Sequence, residues 1–324
     1  MKKTALAALI LASLALVGEA FIFSTRNSHN EEFHRQAIRN DYRVYAPTIP
    51  DTLTFAGERV PLNIYYVRES LDRELVSNMY WQSNTLFIIK RASRFFPTIE
   101  KILKEEGIPD DFKYLCVIES GLQTVTSPAG ASGYWQFMKT TGQRYGLEIT
   151  AEVDMRNDLE QSTRAACAYL KSLKHQFGGW TEAAAAYNCG ENGLKRRLEK
   201  QEEKSYYDLL LNQETQRYVY RILAIKLILQ HPQDYGYHVR VCDTYPEVPF
   251  KEVTLNGHNI DLVRFAKQNN TSYKMLRTLN PWITTDTLKN KDGKTYKVKV
   301  PITKGTEYNT ITHGRRDTTL IESL

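Results

Sequence analysis

Several residue types and motifs that would define a metal or nucleotide site are scarce or absent in this chain of 324 residues. Its four cysteines have no metal-site spacing, its seven histidines are scattered, and HExxH, Walker and GxGxxG motifs are missing. The sequence therefore predicts no metal site and no cofactor. Dense runs of lysine or arginine are also absent, although the net charge is +6, so we expect no nucleic-acid partner.

The few cysteines leave two interpretations open. Cys116, Cys167 and Cys189 lie inside helical patterns beside leucine, alanine or tyrosine, and Cys242 follows them. We favour buried thiols that pack as small apolar side chains. A disulfide between a close pair is the alternative, because an exported protein meets an oxidising compartment.

The N-terminus predicts export. Lys2 and Lys3 precede a small and apolar run over residues 4–17, and Gly18-Glu19-Ala20 offers a cleavage site. We therefore interpret residues 1–20 as a signal peptide. The alternative is an uncleaved membrane anchor, since residues 21–23 extend the apolar run. No cysteine lies near its end, which argues against a lipid anchor.

The next part of the chain has the pattern of an arm followed by a helical domain. Residues 21–69 are polar at first and punctuated by proline, which is typical of a linker or loose arm. Helical patterns then cover residues 71–90, 95–106, 157–177, 181–187 and 214–229. We place Pro97 in the first turn of the second helix and Thr181 at the cap of the fourth. No strand pattern interrupts them, so residues 70–240 are predicted to form an all-helical domain.

The pattern changes after Tyr237. Residues 248–255 and 296–300 alternate as short strands, and helical pieces at 261–268 and 272–279 lie between them. This order predicts a small α+β (βααβ) domain over residues 245–303. The polar tail, residues 304–324, is expected to be flexible.

Glu119 is the strongest candidate for a catalytic group. Residues 109–121 read as a helix whose apolar stripe is Phe112, Leu115 and Cys116, and Glu119 is the next residue on that face. Desolvation and the negative end of the helix dipole would both raise its pKa, as a general acid requires. The alternative is a solvated glutamate, because a small error in helix phase would turn it outward.

Two later segments could surround this acid with sugar-binding groups. Residues 127–138 (SPAGASGYWQFM) form a glycine-broken loop that presents a glutamine, and residues 183–190 (AAAAYNCG) end an alanine-rich helix with a tyrosine and an asparagine. Twenty tyrosines in the chain add faces that suit stacking on sugar rings. Hydroxyls, amides and aromatic faces around one acid predict a carbohydrate site.

Taken in order, these motifs resemble the lytic transglycosylases of the soluble-lytic-transglycosylase superfamily, and most of all their membrane-bound D type. The resemblance covers about residues 60–235 and rests on four segments: Glu119-Ser120, SGYWQF at 132–137, AYNxG at 186–190 and NQETQRYV at 212–219. It implies a mainly α protein with a lysozyme-like helical domain.

The resemblance also implies a reaction. Glu119 would protonate the β-1,4 bond between N-acetylmuramic acid and N-acetylglucosamine in peptidoglycan glycan strands, and then take a proton from the muramoyl C6 hydroxyl. The product would be a 1,6-anhydromuramoyl end, formed without water. The substrate's acetamido group would stabilise the cation, so one carboxylate suffices.

By the same resemblance, further residues would bind and orient the substrate. Ser132 and Gln136 would contact it near the cleaved bond, and Tyr187 and Asn188 would orient the acetamido group and Glu119. Tyr218 would lie near Glu119 and help set its proton state. Such an enzyme would act in the cell envelope, in the periplasm, as a monomer, and at the membrane if the N-terminal segment is uncleaved.

Two other functions remain open. A muramidase like goose-type lysozyme would need a second carboxylate, for which Asp154 and Asp158 are the candidates, although both are typical of helix starts. A non-catalytic glycan-binding scaffold would keep the fold without the reaction. Tyr134 departs from the leucine or methionine usual in the family, and we expect it in the wall of a subsite.

The predicted C-terminal domain resembles a LysM module. The resemblance rests on the βααβ order, on LNPW at 279–282 and on YKVKVP at 296–301. Such modules bind glycans that contain N-acetylglucosamine. The usual Gly-Asp-Ser/Thr-Leu entry to the first helix is replaced here by NGHNID at 256–261, so glycan binding and a purely structural role both stay open.

Overall fold

The computed structural model describes residues 36, 44–302, 307 and 319–324. The predicted signal peptide and the first part of the predicted arm lie outside the described residues. Within the part of the chain that is described, no helix has the length and apolar character needed to cross a bilayer.

Helices dominate the region between residues 65 and 230, as the sequence predicted. They are α1 Tyr65–Tyr80, α2 Gln82–Glu105, α3 Phe112–Ser120, α4 Lys139–Arg144, α5 Leu159–Phe177, α6 Trp180–Cys189, α7 Glu191–Gln201 and α8 Gln213–Gln230. The long helix α8 is buried along most of its length and packs against α1, α3 and α6. Because α8 touches α3 and α6 together, it brings their C-terminal ends to one place.

Several predicted helix ends are confirmed by their local chemistry. Asp158 caps α5 by accepting a hydrogen bond from the Gln161 amide, and Gly178 ends the helix in the left-handed conformation. Gly121 ends α3 in the same way, with φ of +58°. Gly121 therefore sets the end of α3, and Glu119 lies in the last turn of this helix.

Other predicted boundaries were wrong. Pro97 lies inside α2, because the buried stripe of Ala92, Phe96 and Ile99 continues across it and outweighs one lost backbone hydrogen bond. The break between the first two helices falls at Trp81. Helix α6 begins at Trp180, and its cap is the Glu58 carboxylate, which accepts from the Trp180 and Thr181 amides and from the Thr181 hydroxyl.

Much of the second half of the predicted arm belongs to the core, so the prediction of a linker through residue 69 was wrong there. Strands β1 Thr54–Phe55 and β2 Glu58–Arg59 form an antiparallel hairpin, and α1 follows it. The Ala56 amide and the Lys226 ammonium both donate to the carboxylate of Asp111, each at 2.7 Å. The side chains that this segment buries are Leu53, Phe55, Val60 and Leu62.

The end of the chain contradicts the expectation of a flexible tail for residues 319–324, whereas residues 304–306 and 308–318 of that predicted tail lie outside the described residues. Ile321 is buried, and its amide donates to the Val239 carbonyl at 2.8 Å. The Leu324 amide donates to the Leu229 carbonyl at 2.8 Å, at the end of α8. Residues 319–324 therefore pack on the helical domain.

The predicted βααβ order of the C-terminal domain is confirmed. Strands β3 Phe250–Leu255 and β6 Tyr296–Pro301 pair antiparallel, and α9 Leu262–Gln268 and α10 Tyr273–Leu279 lie between them in the chain. The sequence missed a second short pair, β4 Ile260–Asp261 with β5 Thr287–Leu288. This domain has its own apolar core, which includes Leu262, Leu276 and Trp282.

The expectation that cysteines pack as small apolar residues is confirmed for Cys116 and Cys167. Both are buried within α3 and α5, and burial raises the pKa of each thiol. Cys189 is half-buried at the end of α6.

Candidate active site

Glu119 lies in the last turn of α3, and its carboxylate accepts a hydrogen bond from the hydroxyl of Tyr218 on α8. The predicted apolar stripe of α3 is buried, but so are Tyr114 and Val117 on its other sides. Whether Glu119 faces protein therefore depends less on the helix phase than the sequence indicated, because almost every face of α3 packs against protein. Glu119 itself is half-buried.

The surroundings of Glu119 place its proton equilibrium near neutrality. Desolvation by burial raises its pKa from 4.5 to about 7. The hydrogen bond from Tyr218 lowers the pKa, nearby Glu214 raises it, and Arg221 lowers it. A carboxyl group in this balance can be protonated before a reaction and ionised during it.

Helix α8 supplies three of the groups around this carboxylate. Tyr218 is buried at the centre, and Glu214 and Arg221 lie four residues before and three residues after it, on one helical face. Burial, and then the neighbouring Glu119, raise the pKa of Tyr218 well above its ordinary value, so the phenol remains a donor.

Glu214 is a charged group near Glu119 that was not predicted from the sequence as a site residue. Its exposed carboxylate accepts a hydrogen bond from the Asn188 side chain at 3.2 Å. The signal was available, because Glu214 precedes Tyr218 by one helical turn within the NQETQRYV segment.

Ser132 and Gln136 lie on one structured loop, residues 125–137, which we call the site loop. The Ser132 hydroxyl is 2.9 Å from that of Thr126, and the Ser132 amide donates to the Phe137 carbonyl at 3.1 Å. The half-exposed Gln136 has φ of +49°, and its side-chain amide donates to the carbonyls of Val125 and Gly133, each at 2.9 Å. Both residues therefore hold the loop in shape, and their contact with substrate stays a prediction.

Tyr187 and Asn188 end α6 beside this loop. The Tyr187 hydroxyl donates to the Trp135 carbonyl at 2.8 Å. The Asn188 side chain accepts from the Thr215 hydroxyl at 2.9 Å in addition to its bond with Glu214. These residues connect α6 to the site loop and to α8, while the observed hydrogen bond to Glu119 comes from Tyr218.

Asp154 and Asp158, the candidates for a second catalytic carboxylate, have structural partners. Asp154 is buried and forms two hydrogen bonds with the guanidinium of Arg156, at 2.9 and 2.7 Å. Asp158 caps α5. Tyr134 is also not where we expected it, because its buried ring packs 5.4 Å from that of Phe95, measured between centroids.

The described residues contain no group of three or more histidine, cysteine, aspartate or glutamate side chains that could hold a metal ion. The site consists of one half-buried carboxyl, a buried phenol, an exposed carboxylate, an arginine and a loop of amides and hydroxyls. Such a set can exchange a proton and form hydrogen bonds with a polar ligand.

Two parts of the chain match models of known domains. Residues 96–210 match the model of the transglycosylase SLT domain, and residues 251–304 match that of the soluble lytic transglycosylase C-terminal LysM-like domain. The membrane-bound lytic murein transglycosylases D of two Escherichia coli strains, K12 and O6:H1, are 28% identical to the chain over 307 residues. These matches cover 87% of the chain and 65% of each relative, so the chain spans just under two thirds of their length.

A search of solved structures found the 70 kDa soluble lytic transglycosylase of Escherichia coli, with a TM-score of 0.38 and 18% identity over 53% of this chain and 30% of that one. The SLT match includes Glu119 and ends before α8, and the second match covers most of the βααβ region. The chain is therefore similar to a transglycosylase SLT domain in its helical part and to the C-terminal LysM-like domain of the soluble lytic transglycosylases in the part that follows.

Proposed function

We propose that this protein is a peptidoglycan lytic transglycosylase. It would cleave the β-1,4 bond between N-acetylmuramic acid and N-acetylglucosamine and leave 1,6-anhydromuramoyl ends. The observation that carries this proposal is Glu119, a half-buried carboxyl with a pKa of about 7 that accepts a hydrogen bond from Tyr218. The SLT domain match and the D-type relatives support it.

The proposed reaction uses Glu119 twice. In its protonated form it gives a proton to the glycosidic oxygen as the bond to the muramoyl C1 breaks. The ionised carboxylate then takes the proton of the muramoyl C6 hydroxyl, whose oxygen bonds to C1. A pKa near neutrality suits both steps, since an acid of ordinary pKa would be ionised and a strongly shifted one would be a reluctant donor.

The remaining site residues would hold the glycan. Ser132 and Gln136 are proposed to bind it from the site loop, which the hydrogen bonds described above keep in place. Tyr187 and Asn188 are proposed to orient its acetamido group from the end of α6. Tyr218 is proposed to control the proton on Glu119, an assignment that the hydrogen bond between them supports.

Hydrolysis by a muramidase is the alternative reaction, and one observation favours keeping it. Glu214 is an exposed carboxylate close enough to Glu119 to raise its pKa, so it is a better candidate for activating water than Asp154 or Asp158. Its hydrogen bond with Asn188 gives it a positioning role in the transglycosylase reaction instead.

Mass spectrometry of muropeptides released from purified sacculi decides between these reactions. Anhydromuramoyl ends support the transglycosylase, reducing ends support the muramidase, and no release supports a glycan-binding scaffold. Glu119→Gln should remove release in either enzyme. Glu214→Gln is the discriminating variant, because it should retain anhydro products in a transglycosylase and lose reducing ends in a muramidase.

We also propose a place and an architecture for the enzyme. Residues 1–20 would direct export to the periplasm, or anchor the protein if uncleaved, and residues 70–240 would form the catalytic domain together with the packed segment after Leu53. Fractionation of cells that express the full chain tests this location. The LysM-like domain, residues 245–303, would contact the glycan strands of peptidoglycan, and pelleting with sacculi tests that contact.

A further inference from the structure

The LysM-like domain contacts the helical domain along residues 148–155, which we call the docking segment, and through an ion pair between Lys299 and Glu160 at 2.6 Å. Residues 152–154 pair with residues 282–284 in antiparallel fashion. The Asp154 amide donates to the Trp282 carbonyl at 2.8 Å, and the Thr284 amide donates to the Glu152 carbonyl at 3.0 Å. Val153 is buried and belongs to the apolar core of the LysM-like domain.

Charged side chains strengthen this contact. The carboxylate of Glu152 accepts from the amides of Lys289 and Asn290, at 2.9 and 3.3 Å. The carboxylate of Glu148 accepts from the Lys294 ammonium and the Tyr296 hydroxyl, at 2.9 and 3.1 Å. Backbone pairing, a shared core residue and charge-assisted hydrogen bonds together describe a fixed contact rather than a tether.

The docking segment leads directly into Arg156, which reaches the site loop. The buried guanidinium of Arg156 is held by Asp154, and its Nη1 donates to the carbonyls of Gly130 and Phe137, at 2.9 and 3.0 Å. The Phe137 carbonyl is the same acceptor that receives the Ser132 amide. Arg156 therefore fixes both arms of the loop that carries Ser132 and Gln136.

The backbones of the site loop and of Arg156 are also in direct contact. Gly133 lies in the site loop with φ of +83°, and a Cβ placed on it would be 1.8 Å from the carbonyl oxygen of Arg156. The loop and the segment after the docking segment are thus in direct backbone contact. A displacement of the Arg156 backbone should therefore displace the site loop, because a close-packed interior leaves no space between the two segments.

We propose that Arg156 is a positioning residue for the site loop, and that the LysM-like domain supports the active site by holding the docking segment on which Arg156 depends. The domain then has a role in catalysis that needs no glycan bound to it. The kinetic part of this inference rests on the function proposed above, whereas the structural part does not.

Two variants of the full chain test the two steps. Arg156→Lys keeps a positive charge beside Asp154 but is too short to reach both loop carbonyls, and Glu152→Ala removes the acceptor of two amides across the domain contact. Glu152→Gln is the conservative rescue, since one oxygen accepts both amides. Glu69→Ala, at an exposed position on α1, is the control.

The first readout is amide hydrogen exchange, which requires no activity. We expect exchange in residues 125–137 to become about tenfold faster in Arg156→Lys and Glu152→Ala, with α8 unchanged. Glu152→Gln and Glu69→Ala should exchange like the original protein. Unchanged exchange in the site loop of Arg156→Lys would overturn the role of that residue. Faster exchange in the site loop of Arg156→Lys, with unchanged exchange in Glu152→Ala, would overturn the link to the LysM-like domain.

The second readout is turnover of a soluble tetrasaccharide of N-acetylglucosamine and N-acetylmuramic acid. We expect kcat to fall about tenfold in both variants while KM changes much less, since a displaced loop misplaces a bound substrate. A fall confined to KM would overturn the positioning role. If the unsubstituted protein does not cleave the tetrasaccharide, the proposed function fails, and the exchange result still decides the structural inference.

Discussion

Replacing Glu119 with glutamine should stabilise the protein, and the gain should depend on pH. Burial raises the pKa of Glu119 from 4.5 to about 7, so the folded protein keeps a proton that the unfolded chain has already lost between these values. Unfolding then releases a proton, and the free energy of unfolding falls as pH rises through that window. Glutamine does not ionise, and its oxygen can still accept from Tyr218.

The size of this pH-dependent change in the free energy of unfolding follows from the difference between the unfolded and folded pKa of Glu119. A shift from 4.5 to about 7 corresponds to about 3 kcal/mol of unfavourable free energy once the folded carboxyl is fully ionised. Below pH 4.5 both states are protonated and this contribution is absent. The advantage of Glu119→Gln over the original protein should therefore grow by about 3 kcal/mol between about pH 4.5 and about pH 8.

Urea unfolding at about pH 4.5 and about pH 8 measures this difference through the free energy of unfolding of each protein. Glu69→Gln is the matched control, because Glu69 is exposed on α1 and its substitution should give no pH-dependent gain. An equal difference between Glu119→Gln and the original protein at both pH values would refute the reasoning. The same variant should release no muropeptides, which would link the instability to the catalytic role.

Three further substitutions test other parts of the structure. Tyr218→Phe removes the hydrogen bond that lowers the pKa of Glu119, so the alkaline limb of the plot of kcat/KM against pH should move to higher pH by about one pH unit. A shift to lower pH would contradict this role of Tyr218. Gly133→Ala should lower the free energy of unfolding in urea by about 3 kcal/mol, because the new methyl group would overlap the Arg156 carbonyl. The control Gly130→Ala has a similar φ but no neighbouring atom within 4 Å, and it should cost about 1 kcal/mol. Equal costs would contradict the steric overlap at Gly133. Glu74→Ala should cost about 2 kcal/mol in urea unfolding, because it removes a buried carboxylate that pairs with both Arg73 and Arg217. An unchanged free energy of unfolding would contradict a stabilising role for these ion pairs.

The sequence predicted the helical region and the βααβ domain because both depend on local signals. Caps such as Asp158 and left-handed glycines such as Gly121 and Gly178 end helices through their own backbone chemistry. The hairpin at residues 54–59 gave no such signal, since strands of two residues are too short to show alternation. Likewise, Pro97 predicts a helix start locally, and only the packing of α2 against the rest of the protein overrides it.

The candidate site was predictable to the extent that each residue belongs to a motif with its own spacing. Glu119 follows an apolar stripe, and Tyr218 belongs to the NQETQRYV segment. The role of Arg156 was not predicted, because it depends on carbonyl groups of Gly130 and Phe137, which lie 26 and 19 residues earlier in the chain. Backbone acceptors have no side-chain signature, so the bonds from Arg156 to the site loop leave no trace in the sequence, although its partner Asp154 is two residues away in the chain.

The pairing of Glu119 with Tyr218 explains how one carboxyl could perform two opposite steps. Burial favours the protonated acid, which the first step needs. Once the proton has left, the new carboxylate would be costly in the same surroundings, but the Tyr218 hydroxyl donates to it and Arg221 offsets its charge. Because the pKa of Tyr218 is itself well above its ordinary value, the phenol stays a donor throughout and does not compete for the proton. The ionised form would therefore persist long enough to act as a base, and it would need no second carboxylate to do so.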